Sequence, residues 1–265
     1  MSLQAETDFF HDIADKVRNL VIGLHGKASV AQYKKVLGDY STEVDIAVEK
    51  LIISELKNKI PDDLILAEEG SSKTEISDRR IWIIDPICGT TNLGRGLTSF
   101  CTNIALADNQ ELIAACVIDH SQNEYFWSVG GQKVYINNQL YSRKENKDEF
   151  GVVIDVDFGA LPSVTKQQKE KLADAAYSLT RQPGYMLQSL NTSLGFAYTA
   201  VNKIDGFINV FNFPWDICAA SFLIQQSGGI ITDLDGHPWE LSSIGAIGAG
   251  NEAVHQKLLE AYLSV

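Results

Sequence analysis

The stretch from Ile81 to Asn92 constrains the fold of this chain more than any other. It reads Ile-Trp-Ile-Ile-Asp-Pro-Ile-Cys-Gly-Thr-Thr-Asn, and its apolar first residues predict a short buried strand. The strand ends in Asp85, and Pro86 is expected to stop the ladder of hydrogen bonds there because proline has no N–H to donate. Gly89 permits a sharp turn and a close approach of the backbone to a ligand.

An acid at the end of a strand, beside a glycine turn and the start of a helix, can hold a cation and an anion side by side. Cleavage of a phosphate ester needs that combination of charges. An ordinary strand followed by a turn would use the same residue types, because aspartate, proline and glycine are all common in turns. For this motif taken alone, the ordinary turn is the favoured interpretation.

Three more acids stand where a strand ends or a helix begins. Glu68 directly follows an apolar strand predicted for residues 64–67, and Asp216 begins a predicted helix just after Pro214. Asp45 lies in the first turn of a helix that has a capping-box pattern at its start. An acid in that turn is stabilised by the helix dipole by a few tenths to about 1 kcal/mol. Asp45 therefore fits a structural role as well as a metal site.

These motifs resemble, in order and spacing, those of the inositol monophosphatase family of magnesium-dependent, lithium-sensitive phosphatases. That family carries a Glu-Glu pair, then Asp-Pro-Ile-Asp-Gly-Thr-Thr-Asn, then Trp-Asp before a helix that ends in Gly-Gly. The chain has Glu68-Glu69, the stretch described above, and Trp215-Asp216 ahead of Gly228-Gly229. The resemblance covers nearly the whole chain and implies a layered α-β-α-β-α sandwich.

The resemblance also implies a metal cluster. Glu68, Asp85 and the carbonyl of Ile87 would hold a first Mg²⁺ ion. Asp85 and Asp216 would share a second ion, and Asp45 would lie at the edge of the cluster. Magnesium is a hard cation that prefers oxygen ligands. Two or more such ions can align a water, neutralise the phosphoryl oxygens and stabilise the leaving oxygen.

The remaining roles implied by the resemblance concern water and substrate. Glu68 and Thr90 would position and activate the water, and the amides of Gly89 and Thr90 would cradle the phosphate. Asn209 stands where the family has an acid that meets the inositol hydroxyls, and its amide can still donate and accept hydrogen bonds. Residues 187–192 lack the arginine and glycine of the family, which argues against myo-inositol phosphate as the natural substrate.

Cys88 is the one departure inside the central motif, where the family has a second aspartate that binds the second metal. A thiol has an unperturbed pKa of about 8.5, so it is mostly neutral at pH 7 unless a cation lowers that pKa. As a thiolate it is a soft ligand that favours zinc and similar ions over magnesium. The sequence therefore predicts a weakened second magnesium site, with Mn²⁺ or Zn²⁺ as alternative ions.

The order of elements predicts two halves, with a boundary that separates residues 1–145 from residues 146–265. The first half is α+β and contains helices, a polar loop or hairpin, and an antiparallel meander. One of the helices is predicted from Phe9 to Leu24, and Gly26 is expected to end it. The meander is expected to have helices on one face. The second half alternates strands and helices in an α/β pattern. The predicted loop or hairpin covers residues 34–39, and the predicted strands of the meander cover residues 101–107, 111–118, 124–128 and 133–136.

Composition narrows the class of protein. The formal net charge of −12 argues against a surface for nucleic acid or anionic membrane. The four cysteines show no paired spacing that would indicate a disulfide framework or a zinc site. The beginning of the chain lacks the features of a signal peptide, and no apolar run is long enough to span a membrane. We expect a cytoplasmic protein, and the family resemblance implies a homodimer.

Two functional hypotheses follow. The first is an enzyme, a phosphoric monoester hydrolase that cleaves a small phosphorylated alcohol such as an inositol- or sugar-phosphate-like compound by metal-activated water. The second is a catalytically weakened or inactive relative that binds a phosphorylated metabolite or a protein partner, and Cys88 motivates it. An unrelated α/β binding domain with chance motifs is disfavoured, because the three motifs occur together and in order.

Overall fold

The computed structural model describes residues 3–24, 29–33, 40–70, 75–131, 133–143, 151–157 and 164–264. Two large sheets alternate with three layers of helices. One cluster of buried apolar side chains fills both contacts of the central helix layer, and one further cluster fills each outer contact. The order of layers is α-β-α-β-α, which confirms the predicted fold class.

The first outer layer consists of α1 (Gln4–Leu24) and α2 (Glu43–Lys59). Helix α1 begins before the predicted start at Phe9, and its apolar residues pack against the first sheet. Helix α2 begins with the predicted capping box. The hydroxyl oxygen of Thr42 accepts the amide hydrogen of Val44, and the carboxylate of Asp45 accepts the amide hydrogen of Thr42.

A two-stranded hairpin precedes α2. It pairs β1 (Val30–Tyr33) with β2 (Tyr40–Thr42) in antiparallel fashion. The sequence patterns do not show these strands, which are short and, in β1, exposed throughout. The prediction that Gly26 ends the first helix and the prediction of a loop or hairpin at residues 34–39 lie outside the described residues.

The first sheet has seven strands in chain order. The first two are parallel and the rest are antiparallel. The predicted meander is confirmed within a residue or two, but its last strand, a short one, is missed. The strands are β3 (Leu64–Ala67), β4 (Ile81–Cys88), β5 (Cys101–Asp108), β6 (Glu111–Asp119), β7 (Glu124–Ser128), β8 (Val134–Ile136) and β9 (Gln139–Tyr141).

Strand β4 continues past Pro86, where the sequence predicts that pairing stops. Asp85 pairs with Asn103, the register then shifts, and pairing resumes between Cys88 and Cys101. Pro86, which has no N–H to donate, lies within this irregularity. The strand is therefore interrupted there but does not end. The prediction that Pro86 stops the ladder is therefore wrong, and the correction brings two cysteines to opposite positions.

Both faces of the first sheet are covered by helices. Trp82 and Ile84 pack with α1 and α2, whereas Ile81 and Ile83 pack on the opposite face with α5 (Leu194–Ala200) and α6 (Pro214–Gln226). Side chains of a strand alternate between faces, so an apolar residue at every position requires apolar cover on both sides. The prediction of helices on one face only is wrong for this reason.

The second sheet has five strands in the order β11-β10-β12-β14-β13. One face packs on α5 and α6, and the other packs on α4 (Lys166–Thr180) and α7 (Glu252–Leu263). The sequence patterns predict every strand except β11. The strands are β10 (Val152–Asp157), β11 (Tyr185–Gln188), β12 (Gly206–Asn209), β13 (Ile230–Thr232) and β14 (Ala246–Ala249).

Arg143 joins the end of the first sheet to the central helices. Its guanidinium donates to the carbonyls of Thr199 and Ala200 at the end of α5, at 3.2 and 3.0 Å. It also donates to the carbonyl and hydroxyl of Ser227 at the end of α6, at 3.1 and 2.8 Å, and to Oδ1 of Asn202 at 3.0 Å. One cation thus serves the carbonyl ends of two helices.

Each sheet is built from one half of the sequence, but the predicted boundary at residues 145 and 146 lies outside the described residues. The division into halves stays a prediction. Among the described residues, no helix combines the length and the hydropathy needed to cross a bilayer.

Candidate functional site

Glu68 and Asp85 are neighbours at the same edge of the first sheet. Strands β3 and β4 run parallel, and Ala67 pairs with Ile84. The next residue of each strand, Glu68 and Asp85, therefore lies beside the other. The two acids interact, and Glu68 is one of the groups that raise the pKa of Asp85. Asp85 is buried, with 1% of its surface exposed. Parallel strands thus bring together two acids that are separated by more than a dozen residues in the chain.

Asp216 reaches the same place from the start of α6. Its Oδ2 accepts the amide hydrogen of Phe213 at 2.8 Å, which closes the first turn of the helix. One ligand atom each from Asp85, Cys88 and Asp216 lies within 4.8 Å of the others. The structure therefore brings together three acids from separate segments: Asp85 and Asp216 lie close to Cys88, and Glu68 lies beside Asp85.

The cluster is electrostatically unfavourable by itself. Burial is the main cause that raises the pKa of Asp85 well above its ordinary value, and its proximity to Cys88, Glu68 and Asp216 raises it further. Oδ1 of Asp85 is buried and has no hydrogen-bond partner among the described residues. Mutual repulsion and an unsatisfied carboxylate oxygen fit a bound divalent cation, which would supply the missing positive charge.

Cys88 lies half-buried between the acids and a loop of the second half of the chain. Its Sγ accepts the amide hydrogen of Ser193 at 3.1 Å, and its carbonyl accepts the hydroxyl hydrogen of Thr192 at 2.9 Å. Contact with the Cys101 thiol, burial and the charge of Asp216 raise the pKa of the Cys88 thiol well above its ordinary value. Without a bound cation, Cys88 is therefore a neutral thiol.

Thr90 links the central motif to Asp45. Its hydroxyl lies 2.7 Å from Oδ1 of Asp45 and 3.0 Å from the carbonyl oxygen of Ile87, and its single hydrogen donates to one of them at a time. Burial raises the pKa of Asp45, while hydrogen bonds from Thr42 and Thr90 oppose that shift. Asp45 thus caps α2 and contacts the central motif through Thr90, and its place at the edge of a metal cluster stays a prediction.

Gly89 precedes the short helix α3 (Thr90–Gly94), and its φ is 98°, in the left-handed region. A Cβ at this position would lie 3.0 Å from the carbonyl oxygen of Ser99, 3.1 Å from Cβ of Thr192 and 3.2 Å from Cβ of Phe100. The position therefore requires glycine for two reasons, the backbone conformation and the space.

We expect Gly89→Ala to lower the free energy of unfolding by about 2 kcal/mol more than Gly96→Ala. Gly96 also has a positive φ, of 73°, but a Cβ there meets nothing within 4 Å. The difference between the variants therefore isolates the effect of crowding. Urea unfolding of both variants measures the difference. Equal losses in the free energy of unfolding would show that the atoms around Gly89 move aside without destabilising the protein.

Asn209 lies at the end of β12, with 4% of its surface exposed. Its Nδ2 donates to Asp157 at 2.8 Å, and its Oδ1 accepts the amide hydrogen of Phe211 at 2.9 Å. Both ends of the side-chain amide are thus bonded within the protein. A substrate hydroxyl would have to replace one of these bonds, so substrate binding by Asn209 stays a prediction.

Residues from the loop before α5 also contact the site. Residues 187–192 were compared with the family in sequence, but the contacts of Thr192 and Ser193 with Cys88 were not predicted. Thr192 and Ser193 contact Cys88, and Oδ1 of Asp155 holds the loop by accepting the amide hydrogen of Leu190 at 2.9 Å. Burial raises the pKa of Asp155 to about 7. Asn92 also binds this loop, through the carbonyl of Leu190 at 2.8 Å. The available signal was the run of small polar residues at 191–193, just before a helix.

A family model described as "Inositol monophosphatase family" matches residues 3–264. The chain belongs to the inositol monophosphatase family. Nus factor SuhB of Vibrio cholerae is 30% identical over 214 residues, which cover 80% of this chain and 79% of that relative. Inositol-1-monophosphatase of Mesorhizobium japonicum is 27% identical over 247 residues, which cover 93% and 87%.

Solved structures agree on the fold. The IMPase of Thermotoga maritima matches with a TM-score of 0.85 at 24% identity, over 98% of this chain and 97% of that one. The chain thus has the layered fold of the inositol monophosphatase family. The family relatives carry two kinds of name, a phosphatase and a Nus factor, so the activity of this member needs its own argument.

Proposed function

We propose that the chain is a metal-dependent hydrolase of a small phosphomonoester. The observation that carries this proposal is the convergence of Glu68, Asp85 and Asp216 at one edge of the first sheet, next to the turn at Gly89. Acids that repel one another in a buried position are costly to the fold, and a cation site explains why they are there.

We assign the residues to two ion sites. Glu68, Asp85 and the carbonyl of Ile87 would hold one ion, and Asp85, Cys88 and Asp216 would surround a second. Bound divalent ions would supply the charge that neutralises the phosphoryl oxygens and lowers the pKa of a bound water.

Glu68 and Thr90 would orient the attacking water. Thr90 suits this role because Asp45 is within hydrogen-bond distance of its hydroxyl and can fix the direction in which that hydroxyl donates. The backbone amides of Gly89 and Thr90 would bind the phosphate, since they stand at the start of α3 and Gly89 adds no side chain of its own at the turn. The substrate is a small phosphorylated alcohol, and the ion is Mg²⁺, Mn²⁺ or Zn²⁺. We further expect a cytoplasmic homodimer.

Cys88 and the family relatives named Nus factor favour a second candidate function. In that case the chain is a weakened or inactive phosphatase that binds a phosphorylated metabolite or a protein partner. The neutral Cys88 thiol supports it, because a neutral sulfur contributes little to holding a hard cation.

We expect Cys88→Asp to raise turnover with Mg²⁺ by at least about tenfold, since a carboxylate matches magnesium better than a thiol. The assay is a panel of phosphomonoesters with Mg²⁺, Mn²⁺ and Zn²⁺, run on the unchanged protein and on Cys88→Asp. Cys116→Ala is the matched control, because Cys116 packs on the opposite face of the sheet.

The panel separates the two candidates. Turnover by the unchanged protein with any of the ions supports the hydrolase. Turnover by Cys88→Asp alone supports the binding function. If neither protein exceeds a Glu68→Ala variant with any ion, the hydrolase proposal is rejected.

A further inference from the structure

The loop 190–193, which leads into α5, contacts the central motif at two neighbouring residues. The amide of Ser193 and the hydroxyl of Thr192 donate to Sγ and to the carbonyl oxygen of Cys88, as described above. Thr192 also lies close to the glycine turn, because a Cβ on Gly89 would be 3.1 Å from the Cβ of Thr192. The loop therefore borders both the candidate second ion site and the turn whose amides are assigned to the phosphate.

Asp155 and Asn92 hold this loop at the same residue. Oδ1 of Asp155 accepts the amide hydrogen of Leu190 at 2.9 Å, and Nδ2 of Asn92 donates to the carbonyl of Leu190 at 2.8 Å. The next residue, Asn191, has a φ of 54°, in the left-handed region. Such a backbone conformation persists where the surrounding contacts fix it. The two bonds at Leu190 therefore help to determine the path of the loop towards Cys88.

Asp155 is an acid in a fully buried position, which is rare in proteins. None of its surface is exposed, and its Oδ2 makes no hydrogen bond to any residue that the structure describes. Oδ2 lies against Gly195, where a Cβ would be only 2.2 Å away, so the glycine provides the room for it. Burial raises the pKa of Asp155 to about 7. A proton on Oδ2 leaves Oδ1 as an acceptor for Leu190, so the bond forms in both protonation states.

Asp205 makes the same kind of contact in the same sheet. Its Oδ2 accepts the amide hydrogen of Val153 at 2.7 Å, and 5% of its surface is exposed. Val153 lies near the start of β10, whereas Leu190 belongs to the loop that reaches Cys88. The two acids therefore differ in what their backbone partner contacts, so Asp205 serves as the control for a bond that only stabilises the fold.

We propose that Asp155 is a positioning residue of the candidate active site. By fixing Leu190 it holds Thr192 and Ser193 against Cys88, and it thereby sets the affinity of the second ion site. The effect reaches the ion because the amide of Ser193 donates to the sulfur of Cys88 and so fixes where that sulfur lies. The statement about the ion rests on the proposed function, whereas the statement about the loop does not.

The first test measures, without metal, the rate at which iodoacetamide alkylates Cys88 in the full chain, with the modified residue located by mass spectrometry. Cys88 is half-buried, whereas the other three cysteines are buried. We expect Asp155→Ala to raise this rate by at least about tenfold, because the loop opens more readily without its bond to Asp155; a factor of ten corresponds to about 1.4 kcal/mol. Asp155→Asn keeps an acceptor at Oδ1 and should react as the unchanged protein does.

Asp205→Ala is the matched control, and it should lower the melting temperature without changing the alkylation rate of Cys88. Equal rates in Asp155→Ala and the unchanged protein, or an equal acceleration in Asp205→Ala, would overturn the inference. If Asp155→Ala does not fold, hydrogen exchange in the unchanged protein decides. We expect the amides of Leu190 and Ser193 to exchange through one shared opening of the loop, and exchange of Ser193 independently of Leu190 would overturn the inference.

The second test titrates the protein with Co²⁺ and follows the charge-transfer absorption between a thiolate and the ion, which Cys88→Asp should abolish. We expect Asp155→Ala to weaken Co²⁺ binding by at least about tenfold, and Asp155→Asn and Asp205→Ala to leave it unchanged. Equal affinity in Asp155→Ala and the unchanged protein would overturn the statement about the ion.

Absence of the absorption band in the unchanged protein would instead reject the second ion site of the proposed function, and with it the statement that Asp155 sets the affinity of that site. The alkylation rates of Cys88 would still decide whether Asp155 positions the loop.

Discussion

Replacing Asp85 by asparagine is expected to reduce phosphomonoester turnover by about 10²–10³-fold. Asp85 is the acid that both predicted ions share, so its loss removes charge from each of them. The amide keeps the shape of the side chain while removing the negative charge. Turnover is measured with the best substrate and ion from the panel described above.

The same variant has an opposite effect on stability. Without metal, Asp85→Asn is expected to raise the melting temperature, because it removes one of several mutually repelling groups from a buried position. Addition of a divalent ion should stabilise the unchanged protein and leave the variant nearly unaffected, since an ion stabilises only the state that binds it. Differential scanning fluorimetry with and without the ion measures both effects.

Asp62→Asn is the matched control for these measurements, because Asp62 is exposed and lies in the turn before β3. It should change neither turnover nor the response to metal. A variant at Asp85 that keeps full turnover and the full metal response would show that the acid cluster does not bind the catalytic ions.

Replacing Arg143 by methionine is expected to lower the free energy of unfolding by about 3–4 kcal/mol. Methionine keeps much of the apolar volume but removes the donors that satisfy the last carbonyls of α5 and the end of α6. Glycines at positions 229 and 250 leave room for the guanidinium, since a Cβ there would lie 3.2 and 2.5 Å from its nitrogens. Thermal unfolding should show a fall of about 6–15 °C in melting temperature.

Arg181→Met provides the comparison. Arg181 is exposed, and its guanidinium lies 5.9 Å from the centroid of the Tyr177 ring. A contact of that kind contributes about 0.5–1 kcal/mol, so the control should lose far less stability than the variant at Arg143. Equal losses would mean that water replaces the guanidinium at the helix ends.

The sequence was sufficient for features that depend on local pattern. The apolar runs before Glu68 and Asp85 predicted the strands, and the start of α6 was expected close to its observed place at Pro214. The short strands β1, β2, β9 and β11 were missed, because three or four residues carry too little periodicity to be recognised. The cover on both faces of the first sheet was also missed, although the unbroken apolar run at 81–84 indicates it.

The contacts of the site were less accessible to sequence reasoning. The acids were named from the family resemblance, and nothing in their spacing shows that they meet. Ser193 binds the thiol of Cys88 across 105 positions of the chain, and Cys101 faces Cys88 only because the register shifts after Asp85. Asn209 is predicted to face a ligand, and the sequence does not show that its side chain also bonds Asp157 and Phe211.

Helices α5 and α6 come late in the sequence, after all the strands of the first sheet, yet they cover one face of that sheet. During synthesis, the strands of that sheet therefore leave the ribosome well before α6 exists to cover Ile81 and Ile83. One apolar face of the first sheet therefore stays exposed in the nascent chain until translation is nearly complete. A truncated transcript that ends between the two sheets would consequently yield an aggregating fragment, and a chaperone that shields such faces would benefit the full-length product.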